Sequence, residues 1–154
     1  GVRLMDEIRD LYQEVILDHN KHPHNFHAMA DADTRLEGFN PLCGDHYTFY
    51  VKHDDGTIRE ISFEGSGCAI SKASASIMTA LLEGKTREEA DRIFDLFIGI
   101  VTGKLDPMEH LGALGKLAAF AGVAEFPMRV KCATLPWHTL HGALHGADEK
   151  VSTE

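Results

Sequence analysis

The stretch TRLEGFNPLCGDHYTFYVKHDDGTIREISFE, residues 34–64, predicts three short β-strands joined by two tight turns. Residues 47–52 repeat with the two-residue period of a strand. Asp54-Asp55-Gly56 is a hairpin-turn signal, and residues 57–64 return with apolar side chains on one face. Together with a short strand over residues 34–38, this pattern predicts a small three-stranded antiparallel sheet with one face covered.

The turn between the first two strands, NPLCGD over residues 40–45, places a thiol and a carboxylate two positions apart. Pro41 fixes one backbone angle, whereas Gly44 relaxes another. The turn can therefore direct the side chains of Cys43 and Asp45 to one point.

The remaining sequence predicts helices. Apolar residues recur at helical spacing, and the pair Thr86-x-x-Glu89 is a capping signature. The expected helices run over about residues 5–22, 68–84, 86–103, 111–122 and 133–145. We expect Pro136 in the first turn of the last helix and a frayed tail over residues 148–154. The fold class is therefore α+β, a single domain over residues 1–154 with helices packed on the small sheet.

Composition limits the class of partner. The 154 residues contain 15 Lys and Arg against 24 Asp and Glu, a formal net charge of −9. This charge argues against nucleic acid or an anionic membrane as the main partner. The sequence has no run of eighteen apolar residues that would predict a membrane span. Three cysteines are too few for a disulfide scaffold, so we expect a reducing, cytoplasmic setting.

The three cysteines occupy distinctive positions. Cys68 follows Gly-Ser-Gly and Cys132 follows Arg-Val-Lys, and we expect both to open helices. Together with Cys43 and the Asp45 carboxylate they form a four-ligand set of the kind that a tetrahedral metal ion requires. On the residues alone, three small buried apolar cysteines are an equal alternative. If the four are ligands, we expect one metal site per chain, since no second set is evident.

Histidines form two further groups. The first comprises His19, His22, His24 and His27. We expect a solvated loop with one or two packed imidazoles there. The second comprises His138, His141 and His145, which share one face of the last predicted helix. We expect an ordinary, partly exposed face, with spare ligands or a partner surface as the alternative. The neighbouring Trp137 would cover the site or join an interface.

Three motifs closely resemble those of the U-type iron–sulfur cluster assembly proteins. They are NPLCGD at residues 40–45, GSGCAIS at residues 65–71 and RVKCATL at residues 129–135, and LYQEVILDH at residues 11–19 is also similar. Within that family the chain is most similar to the SufU branch. Lys131 stands where the IscU branch has a histidine ligand, and the span between the second and third cysteines is long. The extra residues are expected between Gly99 and Leu114.

The resemblance implies a zinc site formed by Cys43, Asp45, Cys68 and Cys132. It also implies that a pyridoxal-phosphate-dependent, SufS-like cysteine desulfurase supplies persulfide sulfur, which passes on to downstream iron–sulfur scaffold proteins. In that scheme Cys43 leaves the zinc and accepts the sulfur, and Arg129 holds the freed thiolate. The chain would then be a co-substrate that turns over rather than a conventional enzyme.

Two other functions stay open. The same ligands suit a scaffold on which a [2Fe–2S] cluster is assembled, because thiolates bind iron as well as zinc. Lys131 in place of histidine favours sulfur transfer. A structural zinc module that only docks partners is weaker, because Asp45 is an unusual ligand for a closed structural site.

Overall fold

The computed structural model describes the backbone of residues 2–146 and 151–152 and the side chains of residues 12–146. The strands and α-helices are α1 (Val2–Lys21), β1 (Thr34–Asn40), β2 (Asp45–Asp54), β3 (Thr57–Ser66), α2 (Ala69–Leu82), α3 (Arg87–Val101), α4 (Leu111–Leu114), α5 (Pro127–Leu144) and β4 (Val151–Ser152). Short 3-10 helices cover Pro107–Glu109 and Gly115–Glu125. None of the described helices is long and apolar enough to cross a membrane.

The sheet has the strand order β3-β2-β1-β4. Strands β1, β2 and β3 pair antiparallel, which confirms the predicted three-stranded sheet and the α+β fold class. The two residues of β4 add a short parallel pair to β1. The expected frayed tail is therefore wrong for Val151–Ser152, and its other residues lie outside the described part of the chain.

The core forms where helices cover one face of the sheet. Phe49 and Phe63 stack with their ring centroids 5.6 Å apart, and both are fully buried. Helix α5 lies close to β1 because Gly38 has no side chain. A Cβ atom at that position would come within 1.9 Å of Thr139 Oγ1. The contact fixes α5, and with it Cys132, against the strand that leads into the Cys43 turn.

Helix α1 docks on α2 through a packed imidazole. His19 is buried, and its Nδ1 lies 2.7 Å from Ser76 Oγ. The backbone N–H of His24 donates to the same oxygen at 2.7 Å. The expectation of a loop with packed imidazoles is confirmed in part: His22, His24 and His27 are exposed, whereas the packed imidazole of His19 belongs to α1 and not to the loop.

The last helix begins six residues earlier than predicted. Pro127, not Pro136, occupies its first turn, where the fixed proline φ angle favours a helix start. Cys132 therefore lies inside α5 and does not open it, so a helix N-terminus does not favour its thiolate. Pro136 is buried in the middle of the helix, and because it has no N–H it cannot donate to the Cys132 carbonyl.

The predicted helix over residues 111–122 is also wrong in part. The α-helical segment α4 has only four residues, and Gly115 follows it with a φ of 53°. The chain continues as a 3-10 helix to Glu125. Three glycines in this stretch lower its α-helical propensity. The spacing of the apolar residues alone does not reveal this effect.

Candidate metal centre

The turn that contains Cys43 is built on Asn40. The carbonyl of Asn40 accepts from the Cys43 N–H at 3.3 Å, and its side-chain Oδ1 accepts from the Leu42 N–H at 3.2 Å. Gly44 has a φ of 72°, which a residue with a Cβ rarely adopts. Asn40 and Asp45 face each other as the last pair of the β1–β2 ladder. The turn is therefore anchored at both ends, while Cys43 stays partly exposed.

Helix α5 brings the third cysteine to this turn. Cys132 is fully buried, and its Sγ lies 3.0 Å from Cys43 Sγ. The Asn40 side-chain amide donates to Cys132 Sγ at 3.8 Å. One ligand atom each from Cys43, Asp45 and Cys132 falls within 4.8 Å of the others. Three of the four residues that the resemblance implied as ligands thus lie together.

Only one of the two carboxylate oxygens of Asp45 has a hydrogen-bond partner among the described residues. Asp45 is 1% exposed, and its Oδ1 accepts from the Cys68 N–H at 2.8 Å. Its Oδ2 is buried without a hydrogen-bond partner among the described residues. A buried carboxylate oxygen without a partner is costly, and a bound cation would offset that cost.

Cys68 lies at the edge of this cluster. Its Sγ accepts from the Ser71 N–H at 3.4 Å and so caps the N-terminus of α2, as the sequence predicted for its position. In this orientation the thiol lies outside the group formed by Cys43, Asp45 and Cys132. Its backbone N–H already contacts Asp45, so the fourth implied ligand lies directly beside the other three.

Gly67 permits the close packing beneath the site. A Cβ there would lie 2.5 Å from the Tyr47 hydroxyl oxygen and 2.6 Å from both Asp45 Oδ1 and Ser71 Oγ. Tyr47 and Ser71 hydrogen-bond each other at 2.8 Å. Sequence reasoning missed Tyr47 and Ser71, and only the glycine before Cys68 indicated how closely the chain packs there.

The electrostatics of the cluster disfavour negative charge without a cation. Burial raises the pKa of the Cys132 thiol, and its contact with Cys43 and the nearby Cys68 and Asp45 raise it further. Burial likewise raises the pKa of Tyr47, although the Ser71 hydrogen bond opposes the shift. Both groups are protonated at neutral pH in the absence of a positive charge. A divalent ion would supply that charge and ionise coordinated thiols.

The donor set fits zinc. Two thiolates bound at about 2.3 Å to one tetrahedral zinc lie about 3.8 Å apart. Cys43 Sγ and Cys132 Sγ lie 3.0 Å apart, so these two thiols would have to separate slightly around an ion. The buried Asp45 Oδ2 without a partner supports the same conclusion. Cys43, Asp45 and Cys132 would hold the ion, with Cys68 as the fourth ligand.

Other residues singled out in the sequence lie around this centre. Arg129 is exposed in the first turn of α5, one turn before Cys132, and its guanidinium has no ion pair within the described part of the chain. Trp137 does not cover the site or reach the surface. It is buried, stacks on Phe97 at 4.9 Å, and donates its indole N–H to Ser74 at 3.1 Å.

The second histidine group lies on an exposed face of α5, as expected. His141 and His145, however, form a cluster of metal-ligand type with Asp91 of α3. The expectation that no second set of ligands exists is therefore wrong. Sequence reasoning could not find this cluster because Asp91 joins it only through the packing of α3 on α5.

Comparison with known proteins gives consistent matches. Residues 11–133 match the family described as NifU-like N terminal domain. The iron–sulfur cluster assembly scaffold protein IscU of Streptococcus pyogenes is 41% identical over 140 residues, or 91% of this chain and 86% of that protein. The zinc-dependent sulfurtransferase SufU of Bacillus subtilis is 40% identical over 130 residues, or 84% of this chain and 86% of that protein.

A solved structure supports the same relationship. An iron–sulfur cluster assembly scaffold protein for the SUF system from Fervidobacterium islandicum superposes with a TM-score of 0.79 at 39% identity. The match covers 85% of this chain and 94% of that one. The family match also contains all three cysteines, so the resemblance inferred from their motifs is confirmed. The chain belongs to the NifU-like N-terminal domain family of U-type iron–sulfur cluster assembly proteins.

Proposed function

We propose that this protein accepts sulfur on Cys43 from a pyridoxal-phosphate-dependent cysteine desulfurase and passes it to downstream iron–sulfur scaffold proteins. In this proposal zinc is held by Cys43, Asp45, Cys68 and Cys132. The observation that carries it is a partly exposed Cys43 on a four-residue turn, with its Sγ 3.0 Å from the buried Sγ of Cys132. One thiol of the centre is thus accessible, while its neighbour is sheltered.

The three cysteines differ in their freedom to move. Cys132 is fully buried inside α5, and the Cys68 thiol is used to cap α2. Cys43 is held through its backbone, by one hydrogen bond to the Asn40 carbonyl. Its side chain can turn outward by giving up its contact with Cys132 Sγ and without uncapping a helix, which favours Cys43 as the sulfur acceptor.

The transfer step is thiol–persulfide exchange. The Cys43 thiolate attacks the terminal sulfur of a persulfide on the desulfurase cysteine. A new S–S bond forms on Cys43, the S–S bond of the desulfurase breaks, and the desulfurase cysteine leaves as a thiolate. Zinc, when bound, keeps the coordinated thiols ionised and does not oxidise them, because it has no redox chemistry of its own. The resemblance points to Arg129, one turn before Cys132, as the cation that holds the freed thiolate.

Exposed apolar side chains flank the centre and suit a docked partner. Leu42 directly precedes Cys43 and is 55% exposed. Phe126 and Met128, at the start of α5, are each 59% exposed, and the Met128 carbonyl lies 3.7 Å from Cys132 Sγ. Large apolar side chains beside a reactive thiol are typical of an interaction surface. We call Leu42, Phe126 and Met128 the apolar rim.

Assembly of a [2Fe–2S] cluster is the second candidate. The same thiolates can bind iron, and the relative from Streptococcus pyogenes is named a scaffold protein. Lys131 occupies the position where the IscU branch has its histidine ligand, which favours sulfur transfer for this chain.

The experiment that separates the two candidates locates the sulfur. Zinc-loaded protein is incubated with desulfurase and cysteine, alkylated, digested and analysed by peptide mass spectrometry. We expect persulfide on the peptide containing Cys43 and its loss in Cys43→Ser, while the circular-dichroism spectrum stays unchanged. Protein incubated with desulfurase but without cysteine is the control.

Two outcomes would overturn the proposal. Persulfide found mainly on Cys132 would contradict the role of Cys43. Displacement of zinc by iron and sulfide, with a stable coloured cluster that needs Cys43 no more than the other cysteines, would favour the scaffold.

A further inference from the structure

A second cluster of metal-ligand side chains joins α3 to the C-terminal part of α5. His145 Nε2 lies 3.0 Å from both carboxylate oxygens of Asp91, and His141 Nε2 lies 3.8 Å from one of them. One ligand atom from each of the three residues falls within 4.8 Å of the others. The side chains are between 33% and 42% exposed, so an ion from solvent can reach them.

Ring contacts hold the two imidazoles in place before any ion binds. His141 stacks on Phe94 of α3 with the centroids 4.7 Å apart and the planes 25° apart. The rings of His141 and His145 lie 4.4 Å apart. Phe94 and Asp91 are three residues apart, so α3 presents both to the same side of α5. A site whose ligands are already oriented loses less entropy on binding.

The cluster is separate from the cysteine centre. His141 and His145 follow Cys132 by nine and thirteen residues along α5, which corresponds to about 14–20 Å at 1.5 Å per residue. No ligand residue is shared between the two groups. An ion at one cluster therefore does not replace an ion at the other.

We propose that Asp91, His141 and His145 form a second, exchangeable site for a divalent transition-metal ion. Zinc is the ion used to test it. Two imidazoles and one carboxylate suit zinc and neighbouring transition metals better than calcium or magnesium, which prefer all-oxygen sites. Three protein ligands leave a position for water, as in open zinc sites. Because the ligands come from two helices, a bound ion links α3 to the helix that carries Cys132.

Without metal, the contact between Asp91 and the two histidines is weak compared with metal coordination. An ion pair between exposed side chains contributes little to stability, because water and salt screen the charges. A coordinated ion would therefore stabilise the contact between the two helices more than the His145–Asp91 ion pair does. Thermal unfolding followed as zinc is added should show this as a rise in midpoint that depends on zinc concentration.

The test uses tag-free, full-length protein whose cysteine centre is already loaded with zinc. Equilibrium dialysis against free zinc should add a second equivalent per chain. The double variant His141→Ala, His145→Ala should lose that equivalent and the zinc-dependent rise in unfolding temperature, while it keeps the first equivalent. His138→Ala is the matched control, because His138 is an exposed histidine on the same helix that lies outside the cluster.

Cobalt gives an independent readout of the ligands. Added to protein with a zinc-loaded cysteine centre, cobalt at the second site should give weak d–d absorption without sulfur-to-metal charge transfer. The proposal is overturned if native protein takes up no second equivalent. It is equally overturned if the double variant retains the second equivalent, or if His138→Ala loses it as completely as the double variant does.

Discussion

At the scale of single residues, Gly67 limits how the metal centre can be built. Three polar atoms crowd the space that its missing side chain leaves free, and one of them is Asp45 Oδ1. The same oxygen accepts the Cys68 N–H. Gly67 thereby allows the second cysteine motif to approach the Asp45 carboxylate directly.

Gly67→Ala should weaken zinc binding and reduce stability together. The new methyl group has to displace the Tyr47 hydroxyl, Asp45 or Ser71, and overpacking of this kind costs about 1–3 kcal/mol. Urea unfolding measures the loss of stability, and competition with a chromophoric chelator measures zinc affinity. Gly122→Ala is the control, since a Cβ there meets no atom within 4 Å. Equal zinc affinity in both variants would contradict the packing role of Gly67.

At the scale of elements, the contact between α1 and α2 depends on a neutral histidine. Burial lowers the pKa of His19, and the neighbouring His24 and Lys116 lower it further. Its Nε2 is buried without a hydrogen-bond partner among the described residues. Protonation would place an unpaired charge at this junction, so the folded chain resists it more than the unfolded chain does.

The free energy of unfolding should therefore fall as pH drops below about 6.5, the ordinary histidine value. The folded pKa lies below the unfolded one, so the unfolded chain binds more protons in this window and acid favours unfolding. His19→Gln should flatten this part of the profile, whereas His22→Gln, which alters an exposed histidine, should not. Urea titrations at several pH values provide the measurement. An identical acid slope in His19→Gln and native protein would show that His19 does not cause it.

The elements themselves were largely predictable. The two-residue period of residues 47–52 and the Asp54-Asp55-Gly56 turn specify the central hairpin, because local pattern and turn chemistry agree there. The capping box at Thr86 and Glu89 is present with both hydrogen bonds. Helix α5 begins earlier than the sequence predicts because two prolines, Pro127 and Pro136, could each occupy its first turn. Only tertiary burial, which local sequence does not encode, lets Pro136 stay inside the helix.

Only part of the candidate site could be predicted from the sequence. The Cys43 turn and the glycine before Cys68 are local signals that could be found in the sequence. The approach of Cys132 to Cys43 comes from the close packing of α5 on β1 at Gly38, a contact between residues about a hundred positions apart. For the same reason the cluster of Asp91, His141 and His145 could not be predicted, because α3 and α5 are separate in sequence.

At the scale of the whole molecule, the core does not depend on the metal centre. Phe49, Phe63, Phe97 and Trp137 are buried in one hydrophobic cluster that contains none of the four implied ligands. Zinc fingers differ, because binding energies of about 10–16 kcal/mol supply their folding. The metal here should therefore add stability to a chain that already has its own core.

Chelation of the zinc should lower the unfolding temperature without removing the helix signal. An ion held at the folded centre would contribute binding free energy, so its removal should subtract that contribution and leave the packed core intact. Circular dichroism before and after chelation measures helix content, and a thermal scan measures the shift. Cys68→Ser and Cys132→Ser should reproduce the effect and lose zinc. Complete loss of the helix signal on chelation would contradict an independent core.

The charge of the molecule and its apolar rim should act at different stages of desulfurase docking. The net charge of −9 attracts a positively charged partner surface over a distance set by salt. Raising ionic strength from about 0.1 M to about 1 M shortens the screening length from about 10 Å to about 3 Å. We therefore expect the rate of sulfur transfer to fall as salt is added.

The apolar contribution should survive that change. Met128→Ala should slow transfer by a similar factor at low and high salt, because burial of an apolar side chain is not screened. Met108→Ala is the matched control, since Met108 is also 59% exposed but lies in the Pro107–Glu109 segment, outside the apolar rim. Quenched time courses of persulfide formation at each salt concentration give the rates of sulfur transfer. A salt-independent rate would show that long-range charge does not act in docking. Equal effects of the two methionine variants would show that the apolar rim does not contribute to it.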